Sequence, residues 1–161
     1  MIMNIRSKLV FFAIIFMSSV LHAQEKEISL ANADSAFIEI VTDLRKAVAK
    51  KEPFPIFRAV SRNFKIERDF GGISNDNENS VVNFLMIFPL DGFEVREEYK
   101  DNGWEQLKSM ISSNTVIIRS KTNLCMPKGQ YMNDLILDEL LCFTKSNSGT
   151  WLISSYVSAG D

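Results

Sequence analysis

Along the chain the clearest alternation of apolar and polar positions begins at Asn32-Ala33-Asp34-Ser35. There Phe37, Ile40, Val41, Leu44 and Val48 recur at helical spacing, with Glu39, Asp43, Arg45 and Lys46 between them. The spacing predicts an amphipathic helix of about four turns, capped in that Asn/Asp/Ser cluster. It ends near Lys51, because Pro53 and Pro55 cannot continue it. A shorter helix is expected from Pro55 through Ile56, Phe57 and Val60, since proline suits a first helical position. Phe64 and Ile66 then alternate with charged residues from Asn63 toward Phe70, which predicts a short half-buried strand ending at Gly71-Gly72.

Ser80 to Phe88 is dense in Val81, Val82, Phe84, Leu85, Ile87 and Phe88, and periodicity does not separate a buried helix from a buried strand there. The helix is favoured by Asn79 or Ser80 as a cap and Pro89 as a stop. Asp91-Gly92 reads as a turn. Trp104, Leu107, Met110 and Ile111 mark one face of another short helix, and Val116 to Ile118 an extended segment leading to Cys125. The chain closes on Glu139 to Lys145 and Thr150 to Val157, separated by Ser146-Asn147-Ser148-Gly149. That is the pattern of an antiparallel hairpin whose Asn and Gly tolerate positive φ. Trp151, Ile153 and Val157 are expected to share a face of its second strand. Together the pattern predicts an α+β fold: N-terminal helices packed with a small antiparallel sheet ending in a C-terminal hairpin.

The first residues change the picture. Arg6 and Lys8 precede an almost wholly apolar run from Leu9 to Val20, and Leu21-His22-Ala23 lead into polar Gln24-Glu25-Lys26-Glu27. This is the three-part pattern of a secretory signal peptide, residues 1–23, with a single α+β domain expected over 24–161. The run is too short for a membrane span, which needs about 20 apolar residues, and no second run of that length follows. The expected location is periplasmic or secreted.

Cleavage would remove two of the 18 basic residues and none of the 20 acids, leaving 16 against 20, a balance of −4. Nucleic acid is therefore not an expected partner, since phosphate backbones select clustered Lys and Arg. The single histidine, His22, would leave as well. That excludes Ser-His-Asp triads, Cys-His pairs and histidine zinc sites from the processed chain. No cofactor or metal is expected.

Two cysteines remain, Cys125 and Cys142. In an oxidising compartment their natural reading is a disulfide closing a loop of about 18 residues, the alternative being two unconnected thiols. Their spacing is unlike that of a redox-active Cys-x-x-Cys pair.

From Asn102 onward, "NGWEQLKSMISSNT", "NLCMPKG" and "ELLCFTKSNSGTWLISSYVSAGD" resemble uncharacterised exported bacterial proteins, many described only as SH3-domain-containing. The matching positions are Gly103, Trp104, Leu107, Cys125, Pro127, Leu141, Cys142, Trp151, Ile153, Tyr156 and Gly160. Phe143 stands where those relatives have tyrosine. The interval Lys128 to Asp138 is too short for the SH3-like barrel found there, so no ligand of that barrel carries over. The resemblance implies export and paired cysteines, and lends no activity.

The remaining chemistry is sparse. Arg68 to Gly72, "RDFGG", has the letters of a kinase metal-binding motif but none of the companion signatures, and reads as a strand end and turn. Glu94, Glu97, Glu98 and Asp101 offer three readings: a solvated charged face, an acidic patch for a basic partner, or paired carboxylates for hydrolysis. Phe93, Glu94, Glu97, Glu98 and Trp104 form the expected binding surface, with no catalytic residue assigned. The function class that fits is a non-enzymatic exported protein binding another exported protein or an envelope component, of inhibitor or immunity type in one version. The alternative is a carboxylate-dependent hydrolase acting on envelope material. Oligomeric state is left open.

Overall fold

The computed structural model describes residues 26–68, 72–74, 79–93, 103–128 and 139–158; residues 1–23, expected as a signal peptide, and Asp101 lie outside them. Among these residues four α-helices and seven strands follow in the order β1 (Lys26–Ser29), α1 (Ser35–Ala49), α2 (Pro53–Ala59), β2 (Val60–Arg68), β3 (Gly72–Ser74), α3 (Ser80–Ile87), α4 (Gly103–Ile111), β4 (Thr115–Ser120), β5 (Asn123–Pro127), β6 (Leu140–Lys145) and β7 (Trp151–Ser158). The expected α+β class holds. The sheet is larger than its expected small antiparallel form, with strand order β1-β4-β5-β6-β7-β2-β3. It is also mixed, because β2 and β7 run parallel.

Helix α1 forms where the spacing places it. Asp34 caps it by accepting from the backbone N–H groups of Ala36 at 3.0 Å and Phe37 at 3.3 Å. The same carboxylate accepts from Lys145 Nζ at 2.8 Å and Trp151 Nε1 at 3.1 Å, so a helix cap is also the joint between α1 and the closing hairpin. The Lys145 and Trp151 hydrogen bonds are the main reason that Asp34 is held at about 2, below its ordinary 3.8. The buried face, Phe37, Val41, Leu44, Ala47 and Val48, places Phe37 edge-on to Phe143 and Trp151, each at 5.2 Å. Arg45, on the polar side, donates to the carbonyls of Ile111 at 2.6 Å and Ser113 at 2.8 Å, satisfying the open end of α4.

The chain leaves α1 through Lys51, whose φ of 54° turns it sharply into α2. Pro53, not Pro55, takes the first position of α2, and β2 accordingly starts at Val60 rather than Asn63. Helix α3 is capped by Asn79, which accepts from Val81 N–H at 2.9 Å. Pro89 then comes so close to the start of α4 that a Cβ on Gly103 would overlap its carbonyl. Glycine there is a packing requirement. The hairpin turn is closed by Gly149 at φ 86°, with Gly149 N–H donating to Ser146 O at 2.9 Å.

The two sheet faces carry different clusters. Leu124, Met126, Leu141, Phe143, Trp151, Ile153 and Tyr156 join the helices in the main core, while Ile117, Cys125, Leu140, Cys142 and Val157 form a second cluster. Val157 therefore does not share the face of Trp151 and Ile153 as expected. The reason is a bulge: Cys142 pairs with Ser155 and Phe143 with Ile153, leaving Ser154 as an extra residue that reverses the alternation beyond it.

A second irregularity, in β4, leaves Arg119 between Ile118, paired with Leu124, and Ser120, paired with Asn123. Arg119 reaches Glu67 of β2 at 3.4 Å. Three strands separate β4 from β2, so a flat sheet would hold them roughly 19 Å apart at about 4.8 Å per step. The pair closes only because the sheet curls toward the face of the second cluster.

Candidate functional site

Cys125 and Cys142 are directly opposed in the β5–β6 register and are joined by a disulfide, with a Cα–Cα distance of 4.0 Å. Both are fully buried. A bond between adjacent strands, enclosed by Ile117, Leu140 and Val157, is placed to hold structure.

The expected binding surface divides. Glu94, Glu97 and Glu98 lie outside the described residues. Trp104 does not belong to a surface: it is buried because it occupies the inward face of α4 with Leu107, Met110 and Ile111. Phe93 is exposed, at 37 %, and follows the turn that its N–H closes onto Leu90 O at 2.9 Å.

Phe93 is not alone. Its ring meets Phe57 at 5.1 Å and Phe54 at 6.2 Å, and Phe54 meets Phe57 at 6.3 Å, all edge to face. Phe54 is 65 % exposed, and it and Phe93 are the exposed large apolar side chains among the described residues. Sequence reasoning did not single out Phe54, although a signal was present. Ile56 and Ala59 point α2 inward, and at 100° per residue Phe54, Phe57 and Arg58 fall on the opposite side. The surrounding charges are Lys50, held to Glu52 at 4.0 Å, and Lys51, held to Asp91 at 3.4 Å, every one of these side chains more than half exposed. Arg58 makes no ion pair among the described residues.

A polar site lies elsewhere. Glu105, Gln106 and Ser109 on α4 and Lys128 after β5 line an open cavity of about 420 Å³. Its charged groups are paired: Glu105 with Lys108 at 3.3 Å, and Lys128 with Glu139 at 2.6 Å. Behind them Tyr156 is buried and hydrogen-bonded with Glu139 and Gln106. Burial, reinforced by the Glu139 charge and hydrogen bond, pushes the phenol up and keeps it protonated, while Gln106 acts in the other direction. Such an arrangement can offer hydrogen bonds, and each carboxylate beside it lies within ion-pairing distance of a lysine. Among the described residues no group of three or more His, Cys, Asp or Glu side chains could hold a metal ion. No described helix is long and apolar enough to cross a membrane.

Neither a family model nor a curated protein matches the chain. Among solved structures, one similar chain is an NTF-2-like protein of unknown function from Shewanella oneidensis MR-1, at TM-score 0.40 and 12 % identity. It matches 78 % of this chain and 97 % of its own. Another, from Shewanella frigidimarina NCIMB 400, is provisionally described as a ketosteroid isomerase. It matches at TM-score 0.38 and 15 % identity, over 77 % of this chain and 94 % of its own.

Proposed function

We propose that the chain is exported, loses residues 1–23, and works by binding an envelope component or another exported macromolecule rather than by catalysis. The observation that carries this reading is the clustering of exposed rings. Scattered surface phenylalanines need no explanation, but Phe54 and Phe93 are gathered around Phe57 into one patch with a charged rim. Aromatic anchors within a polar border are the composition of a contact surface. The disulfide suits an oxidising compartment, in keeping with the leader pattern and with the resemblance to exported bacterial proteins. The hydrolase alternative draws no support from the cavity, where Glu105 and Glu139 are each engaged by a lysine.

The test has two readouts in living cells. The N-terminus of the native protein should be Gln24 or a neighbour, and the protein should leave the cytosol. A photoreactive phenylalanine at position 54 should form adducts that the same group at exposed Lys121, on the β4–β5 turn, does not. Retention of Met1 with cytosolic location removes the compartment. Equal labelling at both positions removes the surface.

A further inference from the structure

We infer that the Arg119–Glu67 ion pair is a latch over a reducible disulfide, so that opening it admits a dithiol reductant to the Cys125–Cys142 bond. The aromatic patch plays no part in this. Phe64 and Ile66 of β2 belong to the main core, so Glu67 points to the opposite face, where it is aligned with Val157 across the β2–β7 ladder. Val157 is a member of the cluster that holds the sulfurs. Arg119 comes to the same place from β4, two residues beyond Ile117 of that cluster, and meets Glu67 at 3.4 Å with the two side chains only 31 % and 35 % exposed. The pair thus spans the mouth of the second cluster.

Two features make this side the easier one to open. Among the described strands no hydrogen-bond ladder joins β4 to β2, so flattening the curl costs the ion pair and the contacts of Ile117, Leu140 and Val157, but no backbone bond. Such an opening is local and lies well below global unfolding in free energy. In the open form a thiolate of the reductant attacks one sulfur, forming a mixed disulfide as the other sulfur leaves as a thiolate. The reductant's second thiol then displaces the protein and departs within its own disulfide. Two electrons pass from the dithiol to the protein, and with two protons Cys125 and Cys142 become thiols. The β5–β6 register continues on both sides of the cysteines, from Asn123 with Thr144 to Pro127 with Leu140, so the sheet survives. Two unbonded sulfurs stand farther apart than bonded ones and oppose reclosure of the latch, which links its state to the redox state in both directions.

The experiment exposes the purified, oxidised protein to dithiothreitol in non-denaturing buffer and follows the released thiols by alkylation and mass. Arg119→Gln should speed reduction by on the order of fivefold. Glu67→Gln should match it, and the double variant should be no faster than either single one, because all three remove the same contact. Potassium chloride at about 1 M, where charges are screened within about 3 Å, should speed the native protein and leave Arg119→Gln nearly unchanged. Asp34→Ala supplies the contrast: it removes the α1 cap on the other side of the sheet, and should lower global stability more than Arg119→Gln does while speeding reduction less. If Asp34→Ala is reduced as fast as Arg119→Gln or faster, the bond is reached through global unfolding and the latch assignment falls. Equal rates for the native protein and Arg119→Gln, or additive effects in the double variant, overturn it as well.

Discussion

On one face of the sheet Phe37, Phe143 and Trp151 meet edge to face beneath α1, and Phe64, Phe84, Phe88 and Tyr156 continue the contact beneath α3. On the other, three buried aliphatic residues surround one disulfide, with Arg119 and Glu67 reaching across the curl. The first face has large rings, and each ring removes enough apolar area from water to stabilise the packing unaided. The second has no aromatic side chain in its cluster, so restriction of the unfolded chain by a covalent link carries more of its stability. The same sheet is thus secured by area on one side and by connectivity on the other.

The comparison can be broken most severely on the aromatic side. Phe143→Ala removes a fully buried ring from contact with Phe37 and should cost about 4 kcal/mol, read by chemical denaturation. On the other face, replacing both Cys125 and Cys142 by alanine should cost about 3 kcal/mol. The loss should be reproduced in the native protein by a strong reductant under partly denaturing conditions and should be insensitive to mild thiols, because the sulfurs are buried. An effect of the cysteine pair exceeding that of Phe143→Ala would reverse the proposed division.

Smaller effects sharpen it. Asp34→Ala removes the α1 cap together with the acceptor for Lys145 and Trp151, and should cost about 1 kcal/mol. The pH dependence has a definite sign. Asp34 is held at about 2 when folded against an ordinary 3.8, so its contribution is complete above the ordinary value and is lost as pH falls through 3.8 toward 2. Asp34→Asn should flatten that acid limb. Last, Arg119→Gln should cost less than about 1 kcal/mol, since the pair with Glu67 is partly exposed, and the loss should shrink in high salt.

Local features were legible in the sequence, and distant ones were not. Helix α1 and the Ser80–Ile87 helix follow from apolar spacing and caps, and the hairpin follows from its Gly149 turn, because each is settled by neighbouring residues. The partner of Asp34 was not legible: nothing near residue 34 announces Lys145 or Trp151. Strand β1, mostly exposed and polar, carries no apolar signal and exists through its pairing with β4. The face of Val157 depended on one extra residue at Ser154, which alternation alone cannot foresee. Trp104 was legible as a member of a helical face, and that reading prevailed over its expected place in a binding surface. Phe54 was hidden by its prolines, which drew attention to chain direction rather than to the ring between them.

The strand order has a consequence for biogenesis. β7, the last strand described, lies between β6 and β2, so among the described residues it is the strand that joins the β1–β4–β5–β6 half to the β2–β3 half. Until residues near 151–158 have been synthesised, the chain can form two partial sheets but not the native one, and these distant contacts make closure late. Under the proposed export, that order suits a chain that has to cross a membrane before it folds, because the native sheet stays open until its closing strand arrives.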